Sequence, residues 1–476
     1  MDTSEEWSGD HFREASEAFI RWFSSIEGAS VSSKVRLADL RKQGAGRGLV
    51  AITDINPDEV LFSIPRDAIL TVENSDLNKI DPHVFEGLGS WTALILVMIH
   101  EYLQGKESRW GPYFDVLPEH FDSLMHWNDE ELKSLRGSAV VDKIGKSSAD
   151  QEFREYLLPR IKRMTNLFPI DDQNSLGSSP DGKILQLAHR MGSLILAYAF
   201  DIEKNQDSSS SEGGEDGYKT DDEEEDLTPK GMVPLADMLN ADANRNNACV
   251  FYGERILEMT ASKPIKKDDE IFNDYGPLPR SDLLRRYGYI TDNYAQYDVV
   301  ELSENLILDC CQSTMKLEPE DRAARAEWLI EADVLEGGFD LSPPSLDSNL
   351  ASVFPDQLLV AVNTFLISED KFSKSVLAES LPKAKLIPES IVALSCALEK
   401  RLGEYPTSIE QDEVLLKGAS IGRQRMAIEV RLGEKQLLRR GLEELRSKAA
   451  ALNDANGSKR AAEDAAGPGL KRSKIG

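Results

Sequence analysis

Hydrophobic positions near the start of the chain recur at the spacing of an amphipathic helix. The apolar members of this face are Phe12, Phe19, Trp22, Phe23 and Ile26. Residues three, four and seven positions apart fall on one side of a helix, and Gly28 follows as a stop signal. The pattern predicts a helix over residues 10–26, and we assign residues 1–30 to an N-terminal helical segment.

The pattern changes to short β-like runs between residues 35 and 70. The runs LVAIT and EVLFSI flank turn residues at 56–58. Far downstream, MTASKPIKKDDEIFNDYG follows the same order of strand, turn and strand as GLVAITDINPDEVLFSIP. Apolar runs bounded by turn residues are typical of strands. We expect the first two runs to be paired strands, and the two distant stretches to belong to one system of sheets.

Helical patterns lie between the two β stretches. Residues 90–103 and 184–202 are apolar enough for buried helices. Residues 203–226 contain eleven acidic residues and two lysines around a run of serines and glycines. Such a segment has too little apolar surface to offset the entropy lost on ordering, so it is expected to be a disordered loop. We therefore predict a β domain over 31–292 with a helical insertion at about 86–226.

The β signals fade beyond residue 302, and helical periodicity replaces them. Helices are predicted over residues 318–335, 356–366, 388–402 and 409–451. Ser408 and Gln411 have the spacing of a capping box at the start of the last helix. Together these patterns predict a helical C-terminal domain over residues 303–452.

The tail, residues 453–476, is rich in small and charged residues and is expected to be disordered. Its two basic clusters, Lys459-Arg460 and residues 471–474, are separated by ten residues. This spacing fits a bipartite nuclear import signal. A solvated charged tail with no targeting role is the alternative, and the sequence leaves both open.

Composition excludes several classes of protein. The chain has 476 residues, enough for about three domains of ordinary size. Its longest apolar runs are far shorter than the roughly 20 residues of a membrane span, and the acidic N-terminus does not resemble a secretory signal. Four cysteines form no CxxC pair and six histidines are scattered. We expect an intracellular protein with no membrane segment, no disulfide framework and no metal site.

Charge indicates the kind of partner. The formal net charge is −28, from 55 basic and 83 acidic residues. Such a chain repels nucleic acid and attracts basic proteins. We therefore expect a basic protein partner and no direct contact with nucleic acid.

Three segments combine residues that could bind a ligand. Glycines at 44, 46 and 48 precede the LVAIT run, and they fit either a structural turn or a close approach of the backbone to a ligand. Asn240 ends an apolar segment, where its amide could cap a turn or hold an amine and a carboxylate. Tyr275 and Tyr287 each precede a glycine, and buried tyrosines need hydrogen-bond partners. None of these signals alone decides between structure and function.

The order of five motifs is more specific: GAGRGLVA, SRWGPYFDVLP, LAYAFDI, MVPLADMLNADANRN and FNDYGPLPRSDLLRRYGYI. This series resembles the SET-domain protein-lysine methyltransferases of the Rubisco large-subunit methyltransferase type, and within them the fungal ribosomal branch. The resemblance covers roughly residues 34–292. It implies an α+β fold, in which a SET β-fold of short strands carries a helical insertion and an all-α substrate-binding domain follows. It also implies S-adenosyl-L-methionine as cofactor.

The resemblance also implies roles for individual residues. Tyr275 matches the family's catalytic tyrosine. The positions that match cofactor contacts are Ala45, Gly46, Arg47, Tyr198, Asn240, Ala241 and Tyr287. The positions that match substrate contacts are Trp110, Ala199 and Asp201. Many relatives have histidine where this chain has Ala241, so a cofactor contact there would involve the backbone.

The function implied is methyl transfer to a lysine of a 60S ribosomal protein. One alternative keeps the chemistry and changes the substrate to a histone or another nuclear protein, because histone tails are basic too. Another alternative is an inactive SET-like module that only binds protein. We expect a monomer located in the nucleus, with the cytoplasm as a second location.

Overall fold

A computed structural model of the chain describes residues 9–169, 179–202, 229–344, 352–420 and 422–465. The predicted acidic loop therefore lies outside the described residues. The chain divides into two compact units. The first comprises Met1–Trp127, Ile144–Leu278 and Asp282–Tyr289, and the second comprises Asn128–Lys143, Pro279–Ser281 and Ile290–Gly476.

Within its described residues, the first unit contains three small antiparallel sheets. Its strands are β1 (Ser30–Val31), β2 (Val35–Asp39), β3 (Arg47–Ala51), β4 (Val60–Pro65), β5 (Ala199–Asp201), β6 (Lys230–Met232), β7 (Ala248–Tyr252), β8 (Ile256–Ala261) and β9 (Glu270–Ile271). The sheet orders are β1-β4-β8-β7, β2-β3-β9 and β5-β6. The two predicted runs form β3 and β4, but they do not pair with each other. Each belongs to a different sheet.

The two stretches with similar sequences pair with each other, as expected. β4 pairs with β8, β3 pairs with β9, and Ile55 and Ile265 form a bridge between the two turns. The bridge is reciprocal, with Ile55 N to Ile265 O at 2.9 Å and the reverse bond at 3.0 Å. Asp58 and Asp268 occupy equivalent turn positions and both have positive φ, 65° and 69°. The similarity in sequence thus corresponds to a local two-fold arrangement.

Helices cover the remaining surfaces of the first unit. They are α1 (Gly9–Ser25), α2 (Asp76–Ile80), α3 (Ser90–Gln104), α4 (Gly111–Phe114), α6 (Lys146–Glu152), α7 (Leu158–Arg163), α8 (Pro180–Tyr198) and α9 (Arg280–Tyr287), of which residues 282–287 belong to this unit. The predicted leading helix is confirmed as α1. The predicted helix over 184–202 is wrong at its end, because Ala199–Asp201 forms β5 against β6.

The helices contribute a large share of the first unit's core. Residues 92–101 of α3 are buried throughout, which explains why its sequence is apolar on all sides. From α1, the side chains of Phe19 and Phe23 have no exposed surface. The amphipathic face predicted from the sequence is therefore the face that packs inward.

The second unit is mainly helical. Its elements are α5 (Asp129–Leu132), β10 (Val300–Ser303), α10 (Glu304–Thr314), α11 (Pro319–Glu331), β11 (Gly338–Leu341), α12 (Asp356–Leu366), α13 (Glu369–Leu377), α14 (Pro388–Gly403), α15 (Ile409–Gly418) and α16 (Arg423–Ala465). The antiparallel pair β10–β11 was not predicted. The capping box at Ser408 and Gln411 is present, with both bonds formed.

The predicted helix over 409–451 is two helices. Ala419 is extended and Gly422 has a φ of 139°, a conformation that no helix accepts. The tail differs from the prediction too, because the backbone of α16 continues to Ala465. Residues 466–476, and the side chains of both basic clusters, lie outside what the structure describes.

One group of buried charges in the second unit is internally paired. Asp412 and Lys435 are fully buried and form an ion pair of 2.6 Å, and Arg431 binds the same carboxylate at 2.9 Å. Removing one member of such a group leaves an uncompensated charge, which is strongly destabilising. In the part of the chain that the structure covers, no helix is long and apolar enough to cross a membrane.

Candidate active site

A glycine-rich loop precedes β3 in the first unit. The loop is closed by backbone bonds from Leu40 N to Gly46 O, 2.9 Å, and from Ala45 N to Leu40 O, 3.2 Å. Gly48 follows in β3, where a Cβ atom would lie 2.4 Å from Leu40 Cδ1 and 2.9 Å from Glu270 Oε1. Only glycine allows these side chains to approach, because the added atom would overlap both. The close spacing of glycines was the signal for this position, but it did not identify Gly48.

The Asn240 side chain connects β3 to β9. Its Nδ2 donates to Glu270 Oε1 at 2.7 Å and to Arg47 O at 3.3 Å. Burial raises the pKa of Glu270, and the bond from Asn240 opposes that shift. The amide protons of Asn240 therefore hold the end of the glycine-rich loop. Glu270 was not predicted from the sequence, since nothing in its motif distinguishes it from a surface acid.

The segment after Asn240 runs beside the segment that leads to Tyr275. Ala241 and Asn273 form a parallel bridge, with Asn273 N donating to Asn240 O at 2.9 Å. Ala241 is buried, so the backbone at this position is fixed by pairing while the methyl group fills the space. Tyr275 follows Asn273 by two residues. The pairing therefore brings the Asn240 segment and the predicted catalytic tyrosine together.

Tyr275 and Tyr287 stack on each other. Their ring centroids are 4.3 Å apart with an interplanar angle of 11°. Gly276 and Gly288 each have a φ of 77°, which explains why each tyrosine precedes a glycine. Burial raises the pKa of Tyr287 to about 12, so its hydroxyl remains protonated at neutral pH. The Tyr287 hydroxyl can thus act as a hydrogen-bond donor.

A buried carboxyl group lies on the chain just before Asn240. The Tyr113 hydroxyl donates to Asp237 Oδ2, while Oδ1 has no hydrogen-bond partner among the described residues. Burial raises the pKa of Asp237 to about 8, against the opposing effect of the bond from Tyr113. Burial and the charge of Asp237 together raise the pKa of Tyr198 to about 12. Asp237 and Tyr113 were not predicted, although both lie within recognised motifs.

Backbone strain accompanies this carboxyl group. Leu235 is fully buried and has a φ of 76° and ψ of −37°, a conformation that non-glycine residues rarely adopt. Such a residue costs about 1–3 kcal/mol and persists only where the surroundings determine it. Leu235 lies in the segment that ends at Asn240, and strained residues of this kind cluster at functional sites.

The side chains of two residues predicted to contact ligands form hydrogen bonds within the protein instead. Trp110 is 1% exposed and its indole N–H donates to Ala68 O at 3.0 Å, so no exposed side chain supports the predicted substrate contact. The Arg47 guanidinium donates to Val116 O at 2.8 Å and to Ser16 Oγ at 3.0 Å. Any cofactor contact at Arg47 therefore involves its backbone.

The remaining predicted residues lie at the ends of β5. Tyr198 is the last residue of α8, and Ala199 pairs with Met232. Asp201 pairs with Lys230, and their side chains are 3.1 Å apart. The strand that follows, β6, leads directly toward Asn240. The predicted substrate residues Ala199 and Asp201 therefore pair with the strand that leads into the segment of Asn240.

The glycine-rich loop leaves space for a bound ligand such as S-adenosyl-L-methionine. A Cβ atom at Gly46 would have no neighbour within 4 Å, so the exposed backbone of the loop can accept a ligand. The residues that would hold the cofactor are the backbone of 45–47, Asn240 and Tyr287. Among the described residues no group of His, Cys, Asp and Glu side chains could hold a metal ion.

The raised pKa of Asp237 gives the protein a specific dependence of stability on pH. The folded state binds a proton up to about pH 8, whereas an unfolded aspartate releases it near pH 3.9. Stability contributed by this proton is therefore lost as pH rises from about 4 to 8. We expect Asp237→Asn to weaken that decline, so the variant gains stability relative to the wild type at pH 8.

Urea unfolding monitored by fluorescence at pH 5, 6.5 and 8 measures this effect. Asp115→Asn is the control, because Asp115 is an exposed carboxylate of the same unit. The assignment is wrong if Asp237→Asn and Asp115→Asn change the slope against pH to the same extent.

Two family models match the chain. The SET domain model matches residues 46–276, and the Rubisco LSMT substrate-binding model matches residues 322–438. Ribosomal lysine N-methyltransferase 4 of Saccharomyces cerevisiae is 35% identical over 318 residues, 65% of this chain and 62% of that protein. N-lysine methyltransferase SETD6 of Rattus norvegicus is 28% identical over 468 residues, 90% of each chain.

Solved structures have the same fold. Rubisco LSMT bound to AdoMet superposes with a TM-score of 0.66 at 20% identity, covering 92% of this chain and 93% of that one. The SET domain of LSMT bound to lysine and AdoHcy gives 0.67 at 19% identity, covering 93% of each. The expected fold class is confirmed. With both domain models present in order, the chain belongs to the SET-domain protein-lysine N-methyltransferases of the Rubisco large-subunit methyltransferase type.

Proposed function

We propose that this protein transfers methyl groups from S-adenosyl-L-methionine to a lysine of a 60S ribosomal protein. The observation that carries the proposal is the parallel pairing of Ala241 with Asn273, which fixes Tyr275 beside the Asn240 segment. The ribosomal substrate is supported by the similarity to proteins named ribosomal lysine N-methyltransferase 4 in two yeasts. A net charge of −28 suits a basic substrate.

The reaction requires a neutral lysine amine. With a pKa of about 10.4, only about one lysine in a thousand is neutral near pH 7.4, a deficit of about 4 kcal/mol. Burial in an apolar channel favours the neutral amine and can remove this deficit without a strong base. The bound cofactor supplies an activated methyl group on a sulfonium. The chain's own task is to exclude water and align the amine.

Tyr275 carries out that alignment in this proposal. Its hydroxyl orients the amine by hydrogen bonding, and its stacking on Tyr287 restricts the rotation of the ring. Holding two reactants in line accounts for a large part of the acceleration that enzymes achieve. Asn240 and Glu270 maintain the other side of the site by holding the glycine-rich loop.

A second substrate class has a specific observation in its favour. The relatives named N-lysine methyltransferase SETD6 match 87% to 91% of this chain, and their name specifies no ribosomal substrate. We therefore retain a histone or another nuclear protein as the alternative substrate. Location in the nucleus and a monomeric state remain proposals, the first based on the basic clusters of the tail. An inactive protein-binding module is the alternative of another class.

Asn240→Ala tests the cofactor side of the site. Losing the bonds to Glu270 and to the carbonyl of Arg47 frees the glycine-rich loop, so we expect the dissociation constant for S-adenosylhomocysteine to rise about tenfold or more. Titration calorimetry measures it. Asn56→Ala, in an exposed turn of the same unit, is the control and should bind as the wild type does. Equal affinities for all three proteins would contradict the assignment of Asn240.

Transfer of a labelled methyl group tests activity and substrate together. Purified protein is incubated with labelled cofactor and either ribosomes or histones, and labelled bands are identified by mass. We expect label on a large-subunit ribosomal protein. For Tyr275→Phe we expect turnover to fall at least a hundredfold, which corresponds to about 3 kcal/mol or more in activation free energy. The cofactor affinity of this variant should be unchanged. Label on histones alone would favour the alternative substrate. Cofactor binding without label on any protein would favour the inactive module.

A further inference from the structure

One aromatic ring of α1 lies between two arginines of the glycine-rich loop. The guanidinium carbon of Arg41 is 4.0 Å from the centroid of the Phe12 ring, and that of Arg47 is 3.8 Å away. Phe12 is 7% exposed and Arg47 is half-buried, so their contact is shielded from water, whereas the Arg41 side chain is exposed. Cation–π contacts are strongest when desolvated in this way.

The two arginines mark the ends of the loop. Arg41 begins the short 3₁₀ helix Arg41–Gln43, and its guanidinium binds Asp39 Oδ2 at 2.7 Å. Arg47 begins β3, immediately after Gly46. A single ring from α1 therefore contacts both ends of the loop that would hold the cofactor.

The Arg47 side chain adds further bonds to α1. Its Nε donates to Ser16 Oγ at 3.0 Å, and its Nη2 donates to Phe12 O at 3.4 Å. Burial lowers the pKa of Arg47 to about 10, so it stays charged at neutral pH. A buried cation is costly unless its donors are satisfied, and here carbonyl and hydroxyl oxygens satisfy them. The guanidinium is thus fixed by the helix.

The backbone of Arg47 transmits this restraint to the site. Its carbonyl accepts the bond from Asn240 Nδ2 at 3.3 Å. The side chain therefore faces α1, and the main chain faces the Asn240 segment. Movement of the Arg47 side chain would alter both the loop and the acceptor that Asn240 uses.

We propose that Phe12 and Ser16 of α1 are positioning residues that hold the glycine-rich loop in its cofactor-binding conformation. This inference rests on the proposed function, because the loop is the predicted cofactor site. A loop that is ordered before binding loses less entropy when the ligand arrives, so the helix raises cofactor affinity without touching the cofactor. The effect should appear in cofactor affinity and leave turnover at saturation unchanged.

A matched set of variants separates positioning from general stability. Phe12→Leu removes the aromatic face while keeping an apolar side chain, and Phe12→Tyr keeps the face. Phe23→Leu is the control, because Phe23 lies on the same helix with no exposed surface and packs beside Phe19. Thermal midpoints measured for all variants give the loss of stability in each.

Calorimetry with S-adenosylhomocysteine provides the readout, since it needs no protein substrate. We expect Phe12→Leu to raise the dissociation constant about tenfold, with kcat unchanged at saturating cofactor, while Phe12→Tyr and Phe23→Leu bind like the wild type. Either of two results would overturn this inference and leave the proposed function intact. One is wild-type affinity for the cofactor product in Phe12→Leu. The other is an equally weakened affinity in Phe23→Leu when both variants have the same thermal midpoint. Failure of the wild type itself to bind would overturn the proposed function with it.

Discussion

Reciprocal backbone bonds between two similar segments, far apart in the sequence, determine the geometry of the catalytic unit. Ile55 and Ile265 exchange hydrogen bonds, and Asp58 N and Asp268 N donate to the strand ends at Ala261 and Ala51. These contacts place β9 beside β3. Bringing two segments so far apart in the sequence together costs conformational entropy. The contacts formed by the pairing, and the packing of the helices between the two segments, must offset that cost.

The site follows from this pairing. β9 carries Glu270 to Gly48 and Asn240, and the chain then continues to Tyr275 beside the Asn240 segment. Each residue is held by a partner from a different part of the sequence. The same segment contains two energetically unfavourable features. They are the buried carboxyl group of Asp237 and the positive φ of Leu235. Enzyme sites commonly contain such perturbed groups, since the surrounding fold stabilises them.

The sequence predicted elements whose signals are local. α1 and α12 were identified from apolar periodicity, α3 from its nearly continuous apolar run, and the capping box before α15 from two residues. The repeat of strand, turn and strand correctly indicated pairing at long range. The strand β5 was read as helix because its apolar residues continue the pattern of α8, and only pairing with β6 distinguishes them. The pair β10–β11 was missed because each strand is only four residues long, too short for a clear alternating pattern.

The site was predicted less completely than the fold. Motif resemblance located Asn240, Tyr275 and Tyr287, and the structure brings their segments together. It could not show that the Arg47 side chain turns toward α1, or that Asp237 is buried, because both depend on packing between distant helices. Physical properties such as a shifted pKa arise from surroundings that no motif describes.

The central claim is that the glycine-rich loop, Asn240 and Tyr275 enclose a single pocket for the methyl donor. A crystal structure with S-adenosylhomocysteine and a lysine peptide tests it most directly. We expect the cofactor product to lie against the backbone of residues 45–47 and the side chain of Asn240, with its sulfur facing the Tyr275 hydroxyl. Density for the cofactor product at any other surface, or a Tyr275 hydroxyl directed away from the sulfur, would contradict it.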